Sequence, residues 1–351
     1  MPAKVLIVQT AFIGDVILVT PLIRLVKRYI PGAEIHFITI PSSQNVVETL
    51  PYLDRLWIFD KRGKDSGLIN LVKYAIKLRK ENFQLALVPH RSLRSAVLVF
   101  MAKIPRRIGF NRSMGSFLFT DKVIYPRHLH EVERNLFLLQ PLSIAVSGKS
   151  PPDIYPDEDD RRVVERWLSA VGMNEKKSFI TIAPGSIWFT KRWPTKYWSQ
   201  LAELLYEKDF PCVILGSDAD KKFAAEIVSI SRVKIFNSCG LFSLRQSAEL
   251  IRRSSLLISN DSAPTHLGSA VKKPVLTIFG STIPAFGFSP YSNGSRVAEV
   301  KNLECRPCTD HGKKKCPKKH FKCMWDLTPA IIFEMVWKMI NESHTDRSKK
   351  N

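Results

Sequence analysis

Val5-Leu-Ile-Val8, followed by Gln9-Thr-Ala-Phe-Ile-Gly14-Asp15-Val-Ile17, reads as a buried strand turning tightly into a helix. Four consecutive branched apolar residues show no alternation, the pattern of a strand covered on both faces. Gly14 permits the tight turn, and the apolar spacing from there to Tyr29 is helical.

Working outward, the same unit recurs. Ile35–Ile40, Leu56–Phe59 and Leu85–Pro89 read as strands. Helical patterning covers Gln44–Leu50, Leu68–Arg79 and Ser92–Ala102 between and after them. Alternation of this kind predicts a parallel sheet with helices on both faces. Between Val146 and Asp160 the chain turns polar and proline-rich, and a domain boundary is placed there, giving domains 1–155 and 156–351. A second series follows, with strands at Phe179–Ala183, Cys212–Leu215, Lys234–Phe236, Leu256–Ser259 and Val275–Phe279. Helices are expected to start near Pro194, Asp218, Ser243 and Ser262, and a last one spans Pro329–Ile340 before the charged tail Arg347–Asn351. The expected fold class is α/β, with two doubly wound, Rossmann-like domains whose ligands lie at the carboxyl ends of the strands, in a cleft that both domains serve.

The 351 residues carry 53 Lys and Arg against 32 Asp and Glu, a formal charge of +21. Like charges repel in a compact state, so this surplus points to a polyanionic partner: nucleic acid, an anionic membrane surface or a phosphorylated substrate. A generally basic surface is the plainer account. A nucleic-acid reader should interleave aromatic and basic residues in a recognisable motif, and none is evident. The apolar run at Val5–Val8 is too short for a signal-peptide core, and no other stretch is long enough to span a bilayer; a cytoplasmic protein is expected.

Four constellations carry chemistry. Asp15, near the start of the first helix, could take a proton from an attacking hydroxyl. The helix N-terminus would lower its pKa, and an ordinary capping role is the alternative. The turn Ala183-Pro-Gly185-Ser186-Ile-Trp-Phe-Thr190-Lys191-Arg192-Trp-Pro194 frees the backbone after a strand. Its two cations could hold a diphosphate, or could simply be solvated. Ile258-Ser-Asn-Asp261-Ser262-Ala263-Pro-Thr-His266 opens a helix whose free amides would form an anion site, with Asp261 and Ser262 as capping residues. Cys305, Cys308, Cys316 and Cys323 lie in the most lysine-rich stretch. The first pair has ligand spacing but the second is wide for a zinc knuckle, so structural zinc is conceivable but not favoured over free thiols or disulfides. A Gly-x-Gly-x-x-Gly fingerprint is missing after the first strand, which argues against a nicotinamide dehydrogenase.

Taken together and in this order, the Gly14-Asp15-Val16 turn, the Lys191-Arg192-Trp193-Pro194 loop and the Ser259-Asn-Asp-Ser262 segment ending at His266 resemble the ADP-heptose:lipopolysaccharide heptosyltransferases of glycosyltransferase family 9. The resemblance runs from Val5 to about Ile340, and the cysteine-rich segment 305–323 resembles heptosyltransferase II more than heptosyltransferase I. It implies a GT-B fold and a metal-independent, inverting transfer with no cofactor. The N-terminal domain would hold a lipid A-core acceptor and the C-terminal domain ADP-heptose. Asp15 would be the general base. Lys191 would steady the leaving diphosphate, with Gly185, Ser186, Thr190, Asp261, Ser262, Ala263 and His266 around the donor. Gly14, Arg91, Arg94, Arg106 and Arg107 would face the acceptor, the arginines by their position near the fourth strand. A monomer, peripheral to the cytoplasmic face of the inner membrane and without a nucleic-acid partner, is the corresponding expectation. A non-catalytic relative that keeps the fold is the competing case; intact Asp15 and Lys191 argue against it. The chain departs from the family pattern at Ala263-Pro264, where Ser/Thr-Gly-Leu is common. The added methyl and the missing amide bear on which nucleotide sugar is taken.

Overall fold

The computed structural model describes residues 3–173 and 178–348, with side chains at the C-terminus described as far as residue 342. The side chains of the tail Arg347–Asn351 lie outside the described set. The chain divides into two compact units, 1–155 and 156–351.

The first unit runs β1 Lys4–Val8, α1 Ile13–Tyr29, β2 Glu34–Thr39, α2 Gln44–Val47, β3 Arg55–Ile58, α3 Gly67–Arg79, β4 Leu85–Val88, α4 Leu93–Met101, β5 Arg106–Phe110, β6 Asp121–Val123 and α5 Glu131–Leu136. Its strands pair in parallel in the order β3-β2-β1-β4-β5-β6. Strand order reverses between β1 and β4, and that point opens a crevice at the strands' carboxyl ends. Every residue of β4 is buried, as are the last four of β1. This is why both read as unbroken apolar runs.

The second unit repeats the plan: α6 Glu158–Ala170, β7 Ile180–Ala183, α7 Thr195–Tyr206, β8 Cys212–Ile214, α8 Lys221–Ile230, β9 Ile235–Asn237, α9 Leu244–Arg253, β10 Leu256–Asn260, α10 Ala263–Ala270, β11 Val275–Phe279, β12 Arg296–Glu299, α11 Lys322–Trp325 and α12 Pro329–Ser348. The order β12-β11-β10-β7-β8-β9 places the reversal between β7 and β10. Trp193 and Trp198 sit fully buried in this unit's core, with Ile332, Val336 and Met339 of α12 in the same cluster. Among the described residues no helix is long and apolar enough to cross a membrane.

Several elements depart from the sequence reading. Strands β5, β6 and β12 and helices α5 and α6 are additional. β5 reads Arg-Arg-Ile-Gly-Phe, and its charged start hid it. The polar run at 155–160 contains a helix start: Asp157 and Asp160 form a capping box for α6. The stretch before it is fastened to the first unit, not free. Arg24 pairs with Asp153, Tyr52 donates to Asp153 Oδ2 at 2.9 Å, and Asp153 N donates to Thr20 Oγ1 at 2.8 Å. Pro194 occupies the N-cap of α7 instead of its first turn.

Candidate active site

In the first unit, the turn after β1 and the turn after β4 lie side by side because those strands are neighbours. Helix α1 has Phe12 as its N-cap, with no side-chain cap, and Asp15 in its first turn. Asp15 is partly buried. Burial, with the nearby Glu131 carboxylate second, pushes its carboxyl up to about 7. Backbone amides at Phe12 and Asp15 and the charge of Arg91 pull the other way and lose. The sequence expectation had the opposite sign: the helix terminus lowers an exposed carboxyl, but desolvation is the larger effect here. Phe12 holds the N-cap position, and the Asp15 carboxyl reaches back to the Phe12 and Asp15 amides of that first turn.

Around Asp15 stands a polar cluster that the sequence reading largely missed. His90 Nδ1 lies 2.9 Å from Thr10 Oγ1 and 3.0 Å from Ser95 Oγ. Burial, with Lys61 and Arg91 nearby, takes His90 down to about 4, so its ring is neutral at physiological pH. Lys61 donates to Thr10 O, and Arg94 Nη1 donates to Lys61 O at 2.9 Å. Arg91 stacks over the Tyr125 ring, 4.4 Å from its centroid. Behind that ring, Tyr125 OH and Arg134 Nη1 each donate to Glu131 Oε2 at 3.0 Å, in a buried group. Lys61, after β3, and Glu131, at the start of α5, are separated from Asp15 by 46 and 116 positions, so no local motif announces them.

Arg106 and Arg107 do not join this cluster. They open β5, at the amino end of a parallel sheet, whereas Asp15, Arg91 and Arg94 follow carboxyl ends. Arg106 pairs with Asp121 at 3.2 Å and donates to Pro141 O; Arg107 donates to Leu118 O at 2.9 Å and to Ile104 O. Both guanidinium groups hold the sheet edge together.

In the second unit the turns after β7 and β10 meet at the other reversal point. Lys191 Nζ lies 2.6 Å from Asp261 Oδ2, both side chains largely buried, and Thr282 Oγ1 donates to the same oxygen at 2.6 Å. Asp261 thus holds the ammonium in place and is not itself suited to face a phosphate. Asn260, fully buried, ties the turn together: its Nδ2 donates to Pro184 O at 2.6 Å and its Oδ1 accepts from Trp193 N at 3.1 Å. Ser262 occupies the N-cap of α10 without a side-chain cap; its hydroxyl donates to Gly185 O at 3.2 Å. A Cβ at Gly185 would lie 2.4 Å from Asp220 Oδ1, so a larger residue there must displace that carboxylate. His266 is buried one turn into α10, its ring 6.3 Å from that of Phe288, and Ala263 is half-buried at the helix start.

Two expected donor contacts are tied up within the fold. Thr190 is buried, its hydroxyl accepting from Ser281 Oγ at 2.9 Å and from Lys313 N at 2.8 Å. Arg192 donates to Ser186 O at 2.7 Å, closing the 186–192 loop on itself.

The cysteine-rich segment braces this loop. Thr190 N donates to Lys313 O at 3.1 Å, and Cys308 N to Ser281 O at 2.9 Å. Arg306, within the lysine-rich stretch, has a buried side chain; it donates to Gly280 O, to Thr282 O at 2.7 Å and to Glu299 Oε2 at 3.0 Å. All four clustered cysteines are free thiols. Burial first, then the neighbouring thiols, pushes Cys323 up to about 12. Among the described residues no group of three or more His, Cys, Asp or Glu side chains is placed to hold a metal ion.

Comparison with known proteins places these features in a family. The model of glycosyltransferase family 9 (heptosyltransferase) matches residues 71–320. Lipooligosaccharide heptosyltransferase 2 of Campylobacter jejuni is 26% identical over 349 residues, covering 97% of this chain and 99% of that protein. A family 9 glycosyl transferase from Veillonella parvula superposes with a TM-score of 0.87 at 21% identity, over 97% and 98% of the two chains. The ADP-heptose lps heptosyltransferase II of Escherichia coli gives a TM-score of 0.79 at 21% identity, over 97% and 99%.

Proposed function

The chain belongs to glycosyltransferase family 9, the heptosyltransferases, and from that premise we propose that it moves heptose from ADP-heptose onto the inner core of lipopolysaccharide. The observation that carries the mechanism is the Asp15 carboxyl, held near 7 at the carboxyl edge of the first sheet. A base with that pKa is half ionised at working pH and strong enough to accept a hydroxyl proton as the nucleophile forms its new bond.

The roles divide between the units. In the first, an acceptor hydroxyl loses its proton to Asp15 while its oxygen bonds to the anomeric carbon of the donor. Lys61, Arg91 and Arg94 supply positive charge for the acidic groups of a lipid A-core acceptor, and Gly14 leaves the turn open. In the second, the anomeric C–O bond to the diphosphate breaks with its electron pair going to ADP. Lys191 offsets the charge that builds there. The Gly185-Ser186 backbone, Ser262, Ala263 and His266 line the donor side. Asp261 orients Lys191, and Thr190 positions the loop. The step as written balances with no cofactor, inverts the anomeric centre and leaves ADP. A lipid-anchored acceptor would bring the enzyme to the cytoplasmic face of the inner membrane, and each chain, carrying both sets of residues, would act as a monomer.

Ala263-Pro264 favours a specific second reading, in which the reaction is the same but the donor sugar differs, because Pro264 removes one amide from the turn that would face the phosphates. The test is transfer from ADP-heptose to lipopolysaccharide bearing one inner-core heptose, read by product mass. A gain of one heptose that disappears in Asp15→Asn is expected. Absence of any gain, with ADP still protecting the protein against thermal unfolding, would move the assignment to another sugar or acceptor; absence of both would sink the transferase reading.

A further inference from the structure

Helix α3 buries one face and leaves a second apolar face in water. Leu71, Tyr74, Ala75 and Leu78 recur at i, i+3, i+4 and i+7 and are buried in the first unit's core. That stripe accounts fully for how the helix is held. Yet Leu68, Ile69, Val72 and Ile76 are 78, 72, 37 and 52% exposed. At 100° per residue these four fall in a second stripe, centred more than a quarter-turn from the buried one. Lys73, Lys77 and the C-cap Lys80 border it and Arg79 closes its C-terminal end, all exposed, and α3 contains no acidic residue. Scattered surface apolar residues need no explanation, but a contiguous stripe edged by cations does.

We infer that this face of α3 docks on an anionic lipid surface, its apolar stripe entering the headgroup boundary while the lysines pair with lipid phosphates. The occupant follows from chemistry and position. An in-plane interfacial helix has this composition: apolar on one side, lysine-rich on the next, too short and too polar to span. Each lysine near an anionic leaflet adds attraction that a neutral or cationic partner could not supply. A second copy fits badly, since a twofold contact through this face would set lysines against lysines with no acid on the helix to pair them.

Position adds a reason. Because α3 follows a parallel strand, its first turn with Leu68 and Ile69 lies at the carboxyl edge of the first sheet, the edge that also carries Asp15, Arg91 and Arg94. Lys61, three residues past β3, links the two places through its bonds to Thr10 and from Arg94. A saccharide anchored in the bilayer would thus present itself on the side where the base stands. That benefit rests on the proposed function; the docking itself does not.

The test is co-sedimentation of the full chain with vesicles of phosphatidylcholine alone or with phosphatidylglycerol, with no nucleotide sugar or acceptor present. Binding to the phosphatidylglycerol vesicles is expected, falling about tenfold or more in a Leu68→Ser, Ile69→Ser, Ile76→Ser variant. A Lys73→Gln, Lys77→Gln variant should lose about tenfold at low salt and less at high salt. Ile69→Trp keeps the stripe apolar and should retain binding, with a blue-shifted emission on vesicles. Both loss variants should transfer to a delipidated core oligosaccharide at the wild-type rate. Loss of vesicle binding in the variants combined with no transfer by any form would leave the docking surface standing and remove the proposed reaction. Equal sedimentation of wild type and the serine variant would overturn the inference. So would failure of the wild type to bind phosphatidylglycerol vesicles, or self-association abolished by the serine changes.

Discussion

Asp15→Asn should stabilise the protein above neutral pH while abolishing most of its turnover. The carboxyl titrates near 7 in the fold against an ordinary value of 3.8. The native state therefore holds a proton that the unfolded chain has already lost between those two values. In that window stability falls as pH rises; above about 7 the loss is complete and constant. At about 1.4 kcal/mol per pH unit the full effect would be about 4 kcal/mol. Asp15 is partly exposed, and solvent screening brings the expected figure down to about 1–2 kcal/mol. Asparagine keeps the shape and the acceptor oxygen without the charge. The variant should match wild type at about pH 4 and exceed it by about 1–2 kcal/mol at about pH 8.5. Urea denaturation at the two pH values gives the difference, and hydrogen exchange over α1 reads the first unit apart from the second. Turnover should fall by about 10²-fold or more, the usual worth of a general base. A variant no more stable than wild type at high pH would refute the desolvation account. Near-normal turnover would remove Asp15 from the chemistry.

Other expectations follow from the same geometry. Glu131→Gln removes the second-largest cause of the raised Asp15 pKa, so the acidic limb of the kcat/KM profile should move to lower pH; an unmoved limb would mean that Glu131 acts on folding alone. Lys191→Ala leaves the buried Asp261 carboxylate without its cation and should cost about 3–5 kcal/mol in stability as well as weakening ADP protection. Adding Asp261→Asn should recover much of the stability but not the ADP response, as thermal shifts of the single and double variants would show. Gly185→Ala forces Asp220 aside and should destabilise by about 1–3 kcal/mol in chemical denaturation, with weaker donor binding.

The first and seventh strands, the helices after them and the placing of Asp15 and Lys191 in the turns beyond those strands were legible in the sequence. Strands buried on both faces are unbroken apolar runs, and a residue just past such a run must sit at a strand's carboxyl edge. The short polar edge strands β6 and β12, of three and four residues, and the strand β5 were not legible in that way. Their pairing comes from neighbours already in place, not from their own composition. Arg106 and Arg107 show the limit most clearly: closeness in sequence to the fourth strand put them beside Arg91 and Arg94, but the parallel crossover carries them to the opposite end of the sheet.

Residue types and their order thus determined the reaction class and the family, because a doubly wound chain can place its chemistry only at the turns where strand order reverses. The sign of the Asp15 shift, the pairing of Lys191 with Asp261, the bracing of the 186–192 loop by Ser281 and Lys313 and the second apolar face of α3 were decided by tertiary structure. Each depends on which distant residue removes water from a group or leaves it exposed. Desolvation and burial are properties of packing, and one residue's neighbours in space are mostly strangers in sequence.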